Sequence, residues 1–143
     1  MADHAHESIV IQGDPATVMA VIADFSAYPQ WAGPVKRTEV LEPGDDGRAR
    51  KVKIDVELLG LSDSYVNEYA WDGDTYVSWT MLEGRSQKSQ VGSYTLEPSG
   101  KDTTVTYDLT VELAIPVPGL IRRRIQSKVV DAALKDLKKR VEG

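Results

Sequence analysis

The sequence predicts an α+β fold: a curved antiparallel sheet of about seven strands wrapped around a long C-terminal helix, with two short helices after the first strand. Three observations carry this. A first strand runs straight into a helical segment and an aromatic–proline corner (Ala23 to Pro34). From Val35 to about Ala114 nearly everything alternates with the period of two that marks β-structure. One more helix-patterned segment then closes the chain. A sheet of that kind, curved around one helix, encloses a cavity, so the order of elements speaks of a container more than of a reaction.

Each element has its own signal. Residues 7–12 (Glu-Ser-Ile-Val-Ile-Gln) read as the first strand, with His4 and His6 in a tail before it. Asp14 and Pro15 start a helix, as an N-cap carboxylate followed by a proline at the first helical position. Val18, Val21 and Ile22 then recur at helical spacing up to about Ala23. Pro29 opposes continuation of a helix through Tyr28. Residues 35–41 form the next strand, and Pro43-Gly44-Asp45-Asp46-Gly47 turns the chain. Over residues 50–58, Val52, Ile54, Val56 and Leu58 share one face against Lys51, Lys53, Asp55 and Glu57 on the other. That is a strand with one dry and one wet side.

Residues 64–71 and 75–82 make a hairpin around Asp72-Gly73-Asp74, and residues 88–96 and 103–114 make another around Pro98-Ser99-Gly100-Lys101. In the last strand Val105, Tyr107, Leu109, Val111 and Leu113 share a face. On the 64–71 strand, Tyr65, Asn67, Tyr69 and Trp71 oppose Val66, Glu68 and Ala70, and the pattern leaves open which set faces inward. Pro116-Val117-Pro118-Gly119 ends the strand run, and the closing helix is expected over residues 120–141. Its apolar residues Ile121, Ile125, Val129, Ala133, Leu137 and Val141 fall every fourth position. At about 100° per residue, each such step drifts roughly 40° around the axis. A stripe that winds like this suits a helix lying obliquely across a twisted sheet. It is compatible with a filled contact and with a cavity beneath the helix.

Composition narrows the function classes. The 143 residues are expected to form a single domain, 41% hydrophobic and 27% charged, with no cysteine. The missing cysteine removes disulfide scaffolds, thiolate metal sites and thiol nucleophiles. Net charge is −5. Residues 117–143 carry eight Lys/Arg against three Asp/Glu, and residues 1–116 carry nine against nineteen. The acidic bulk speaks against a nucleic-acid binder, whose affinity rests on phosphate contacts. The N-terminus lacks a basic segment followed by an apolar one, and no apolar run approaches the ~18 residues of a membrane span. A cytoplasmic location is expected.

Candidate chemistry concentrates in two places. Arg122, Arg123 and Arg124 open the final helix, where the macrodipole disfavours cations by about 0.3–1 kcal/mol each when exposed. Of the three, Arg122 lies nearest the apolar stripe and is the candidate for a cavity mouth; pairing with acidic groups of the sheet is the simpler alternative. Among the aromatics, Trp79 shares a face with Val77 and Met81, Tyr94 with Leu96, and Tyr107 sits in a dry stripe. Buried tyrosines give their hydroxyl a partner, which in a cavity can be ligand or water. No metal or triad cluster emerges around His4 and His6. Asp63 and Glu68 have no identifiable partner. Asp72-Gly73-Asp74 reads as a turn and not as a calcium loop, and Gly44-Asp45-Asp46-Gly47 lacks the spacing of a phosphate loop.

These residues together resemble the START-like (SRPBCC, helix-grip) superfamily of polyketide cyclases/dehydrases and lipid-transfer proteins, in particular its small actinobacterial cyclase-like members. The likeness runs over nearly the whole chain: Asp14-Pro15, the corner Asp24-Phe25-Ser26-Ala27-Tyr28-Pro29-Gln30-Trp31, the strand Gly92-Ser93-Tyr94-Thr95-Leu96-Glu97-Pro98, then Thr104-Val105-Thr106-Tyr107 and Pro116-Val117-Pro118-Gly119. The Tyr-Pro-Gln-Trp corner is also similar to the coenzyme-Q-binding and ribosome-associated branch. The resemblance implies seven antiparallel strands gripping the last helix around a hydrophobic ligand. It carries no activity by itself, since one fold hosts carriers, sensors and enzymes. No residue-by-residue match to the polar cavity groups of aromatase/cyclases is found, with Arg85 and Arg122 the only substitutes in view.

The leading expectation is a non-catalytic binder or carrier of a lipid, isoprenoid or polyketide. Its ligand would lie against Val52, Ile54, Val56, Trp79, Tyr94, Tyr107 and Leu109, beneath Ile121, Ile125 and Val129. Tyr28, Trp31 and Arg122 would form the rim near the ligand's polar end. No metal and no cofactor are expected. A cyclase or dehydrase using the same cavity is the alternative. A further one is an interaction module whose basic C-terminal helix docks on an anionic membrane or acidic partner.

Overall fold

The computed structural model describes residues 2–143. Strand β1 (Ala2–Gln12) is followed by α1 (Pro15–Ala23), a 3-10 turn (Phe25–Ala27) and α2 (Tyr28–Trp31). Six strands come next: β2 (Val35–Pro43), β3 (Ala49–Leu58), β4 (Leu61–Asp72), β5 (Tyr76–Gly84), β6 (Gln87–Ser99) and β7 (Asp102–Leu113). The chain ends in α3 (Gly119–Asp131), which passes through a π turn (Ala132–Asp136) into α4 (Leu137–Glu142). The seven strands form one antiparallel sheet in the order β1-β7-β6-β5-β4-β3-β2.

The N-terminus departs from expectation. Strand β1 starts at Ala2 and pairs with the full length of β7, from Ala2 opposite Glu112 to Gln12 opposite Asp102. His4 and His6 therefore lie in a strand, not in a tail. Their side chains face outward and both reach Asp108, at 3.1 Å from His4 Nε2 and 2.9 Å from His6 Nδ1. The partner strand imposes this conformation on residues whose own β preference is weak. At the corner, Pro29 does not only terminate a helix. It occupies the first turn of a new one, where its missing N–H costs nothing. Asp14 caps α1 by accepting from Thr17 N at 2.8 Å.

The final helix settles unevenly on the sheet. Its apolar stripe is 38% exposed at Ile121, half-buried at Ile125 and Val129, buried at Ala133 and fully buried at Leu137. The C-terminal half packs with Ile11, Met19, Leu96 and Val105 into the main core. The N-terminal half stands off the sheet, and the space under it is the cavity. A second apolar cluster, Phe25, Ala49, Val52 and Ile54, lies beneath the aromatic corner. The corner is pinned from both sides: Thr38 Oγ1 donates to Phe25 O at 2.7 Å, and Gly33 N donates to Asp136 Oδ2 at 3.2 Å.

Candidate ligand cavity

Between the sheet and the N-terminal half of the closing helix lies a cavity of about 270 Å³, just below the roughly 300–1,000 Å³ typical of small-molecule sites. Alternation along each strand decides what enters it. Ile54 and Val56 come from β3, Trp79 from β5, Tyr94 from β6, Tyr107 and Leu109 from β7, and Ile125 and Val129 from α3. Tyr28, Trp31 and Arg122 line it as well.

Two of the residues singled out from sequence are not in the lining. Val52 shares the alternation of Ile54 but is fully buried against Phe25 and Ala49, because the aromatic corner fills the space over that end of β3. Ile121 lies on the exposed first turn of α3, before the winding stripe has come round to face the sheet. Arg85, also considered, is exposed and outside the lining. On β4 the open choice resolves in favour of Tyr65, Asn67 and Tyr69, all of which line the cavity.

An aromatic path leads from the corner to the cavity floor. Ring centroids lie 4.9 Å apart for Trp31 and Tyr28, 5.0 Å for Tyr28 and Phe25, and 4.8 Å for Phe25 and Tyr69. The path continues through Trp79, 5.7 Å from Tyr69, to Tyr94 at 5.8 Å and Tyr107 at 6.0 Å. These offset, tilted geometries are the favoured ones for aromatic pairs. Trp79 can lie flat on the sheet because its cross-strand neighbour is Gly92. Any Cβ at position 92 would overlap the indole.

The cavity also holds polar groups that the strand pattern does not announce. Trp79 Nε1 donates to Gln90 Oε1 at 2.9 Å, Gln90 Nε2 to Gln87 Oε1 at 2.7 Å, and Gln87 Nε2 to Asp63 Oδ2 at 2.9 Å. Asn67 Nδ2 donates to the same Gln90 Oε1 at 3.2 Å. The one sequence signal was a polar residue, Asn67, inside the otherwise aromatic face Tyr65-Asn67-Tyr69-Trp71. Asp63, for which the sequence identifies no partner, also accepts from Ser64 N at 2.8 Å and Ser86 N at 3.0 Å.

The tyrosines supply neutral hydroxyls. Burial pushes the phenols of Tyr28, Tyr65, Tyr69, Tyr94 and Tyr107 upward. They stay protonated near neutral pH and can donate hydrogen bonds but not act as bases. Tyr94 OH donates to Ala133 O at 2.9 Å, tying the π turn to the sheet. π turns recur where a helix is adapted to a site. At the mouth, Arg122 Nε lies 3.3 Å from Asp3 Oδ2, so the arginine nearest the cavity has an acidic partner on β1. Among the described residues, no group of His, Asp and Glu has the arrangement of a metal site.

A seven-stranded antiparallel sheet that curves around a long C-terminal helix, with short helices after its first strand, is the START, or helix-grip, fold. The chain belongs to the family described as polyketide cyclase/dehydrase and lipid transport, whose profile matches residues 2–142. It is similar to a START superfamily protein from Mycobacterium smegmatis, with 26% identity, a TM-score of 0.87 and 97% of each chain covered. A protein from Thermus thermophilus shares the fold at 23% identity and a TM-score of 0.83, again over 97% of each chain. So does an aromatase/cyclase from a Streptomyces species, at 16% identity and a TM-score of 0.83, over 99% of this chain and 94% of that one. No curated protein matches the sequence significantly. No helix among the described residues is long and apolar enough to cross a membrane.

Proposed function

We propose that this protein binds an apolar small molecule (a lipid, isoprenoid or polyketide) in the cavity beneath the N-terminal half of its final helix. The observation that carries this reading is the uneven seating of that helix. Its C-terminal half is buried in the main core through Ala133, Leu134 and Leu137, while the N-terminal half spans an open space walled by Ile54, Val56, Leu109, Ile125, Val129 and a continuous row of aromatic rings. Leaving apolar surface uncovered forgoes about 25 cal/mol for every Å², and a ligand recovers that energy. The family description, which joins lipid transport with cyclase and dehydrase activity, agrees with an apolar cargo. Native mass spectrometry of the protein purified from its own host tests the proposal, with copurifying apolar mass as the expected result. A ligand held at 100 times its dissociation constant adds about 2.7 kcal/mol of stability. Apo protein alone, with no change in melting temperature across a lipid and quinone panel, overturns the reading.

A second reading is favoured by the polar chain from Trp79 through Gln90 and Gln87 to Asp63. Fixed dipoles on a cavity wall can orient a substrate carbonyl for cyclisation and loss of water. Conversion of a poly-β-ketone mimic by the protein, abolished by Gln90→Leu, is the outcome this reading requires. An unchanged mimic rejects it.

A further inference from the structure

Three buried side-chain polar atoms lack a hydrogen-bond partner among the described residues: Trp31 Nε1, Asn67 Oδ1 and Arg122 Nε. All three belong to residues that line the cavity. Arg122 has the Asp3 carboxylate beside it, and Trp31 is a half-buried residue of the rim. Asn67 has neither excuse. It is 1% exposed, in the middle of β4, with Tyr65 and Tyr69 on the same face.

Which amide atom of Asn67 is the orphan is fixed by its neighbours. The indole of Trp79 can only donate, so the Gln90 atom facing it must be the oxygen. At the other end the Asp63 carboxylate accepts from two backbone N–H groups and from Gln87, which fixes the Gln87 amide. The whole chain is thus oriented from a donor-only end to an acceptor end. Asn67 faces the oxygen of Gln90 and must present its NH₂ there. The same NH₂ lies 3.4 Å from Tyr69 OH. Asn67 Oδ1 is left as an acceptor without a donor, a state buried polar groups rarely keep.

We propose that the ligand carries a hydroxyl that donates to Asn67 Oδ1. Its class is then an apolar ring or polyene compound with a phenol, enol or alcohol at the end reaching β4. The donor is neutral, because Gln90 and Tyr69, the groups that hydrogen-bond Asn67, are neutral and the nearby carboxylate of Asp63 is committed to its three donors. The Tyr69 and Trp79 rings flanking the site favour a flat ring at that end. This inference rests on the cavity binding an apolar molecule and adds which polar group that molecule bears.

Paired probes test it. Naphthalene carrying a hydroxyl (2-naphthol) and its 2-fluoro analogue have nearly the same shape and differ in the donor. Titration followed by tryptophan fluorescence is expected to show about a tenfold preference for 2-naphthol, or about 1.4 kcal/mol. Asn67→Leu is expected to erase the preference to within about twofold while 2-fluoronaphthalene still binds. In the wild-type protein, which needs no variant to fold, the Asn67 side-chain amide resonances should shift with 2-naphthol and not with 2-fluoronaphthalene. Equal affinity of wild type for both probes, or a preference that survives Asn67→Leu, overturns the inference and leaves the cavity reading standing. Binding of neither probe overturns the inference, and with no melting-temperature change across the lipid and quinone panel either it overturns the cavity reading too.

Discussion

Gly92→Ala probes how the cavity floor is built. Gly92 sits on β6 between Trp79 on β5 and Leu109 on β7. Its backbone is in ordinary extended territory, because it is not among the glycines with positive φ. An alanine there meets no conformational barrier and, by restricting the unfolded chain, would by itself stabilise the protein by about 0.4–1 kcal/mol. The Cβ, however, would overlap the six-membered ring and Nε1 of Trp79. Two paired neighbours hold the strand, so the indole has to tilt into the cavity. Overpacking of this kind costs about 1–3 kcal/mol. Tilting also breaks the 2.9 Å bond to Gln90, adding about 0.5–1.5 kcal/mol. The net expectation is a loss of about 2 kcal/mol, read in urea unfolding as a lower midpoint at unchanged slope. In a Trp79→Leu background the alanine should cost much less, with a coupling of about 0.5–3 kcal/mol. A Gly92→Ala protein as stable as wild type, or more so, would refute the close-approach argument and with it the account of how Trp79 forms the floor.

Three further outcomes are expected. Tyr94→Phe removes the bond to Ala133 O and should cost about 0.5–1.5 kcal/mol, with faster amide exchange confined to the π turn and its neighbours. Val129→Trp places an indole in the cavity and should weaken apolar-probe binding more than tenfold in a fluorescence titration, while the protein stays folded by circular dichroism. Hydrogen bonds first from His6 and then from His4 hold the Asp108 carboxyl below its usual range. A depressed folded pKa stabilises above the unfolded value, near 3.9, and that stability is lost as pH falls through the folded value. Asp108→Asn should therefore lower stability near neutral pH by under about 1 kcal/mol, as for other exposed pairs. Its unfolding curve should converge with wild type on acidification.

What could be read from sequence was whatever short-range periodicity records. The Asp14-Pro15 helix start, the alternation of β3 and β7, and the winding stripe of the final helix each depend on residues within one element. The stripe even contained the reason for the cavity, since a drift of roughly 40° per step cannot keep Ile121 and Leu137 on the same surface. Long-range register was invisible. Asn67 and Gln90 meet across β5, next to register shifts at Val66–Asn67 and at Gln87–Ser89 that no local pattern marks. The inner face of β4 was undecidable because Val66, which packs to 8% exposure on the opposite side, competes with its aromatic neighbours. The local pattern puts His4 and His6 in a tail because β7, not their own propensity, makes them a strand. Val52 was misplaced because the corner that covers it arrives from a distant part of the chain.

The central claim is that the space beneath α3 receives an apolar molecule. Two-dimensional NMR of the wild-type protein during titration with 2-naphthol tests it most directly, because Trp79 reports from the floor through a single indole N–H signal. The account predicts saturable shifts at Trp79 Nε1–H, Ile54, Leu109, Ile125 and Val129, with Val52 and Ile121 unmoved. Absence of any saturable shift, or shifts confined to the groove between β1 and the final helix around Ile9 and Val130, would contradict it.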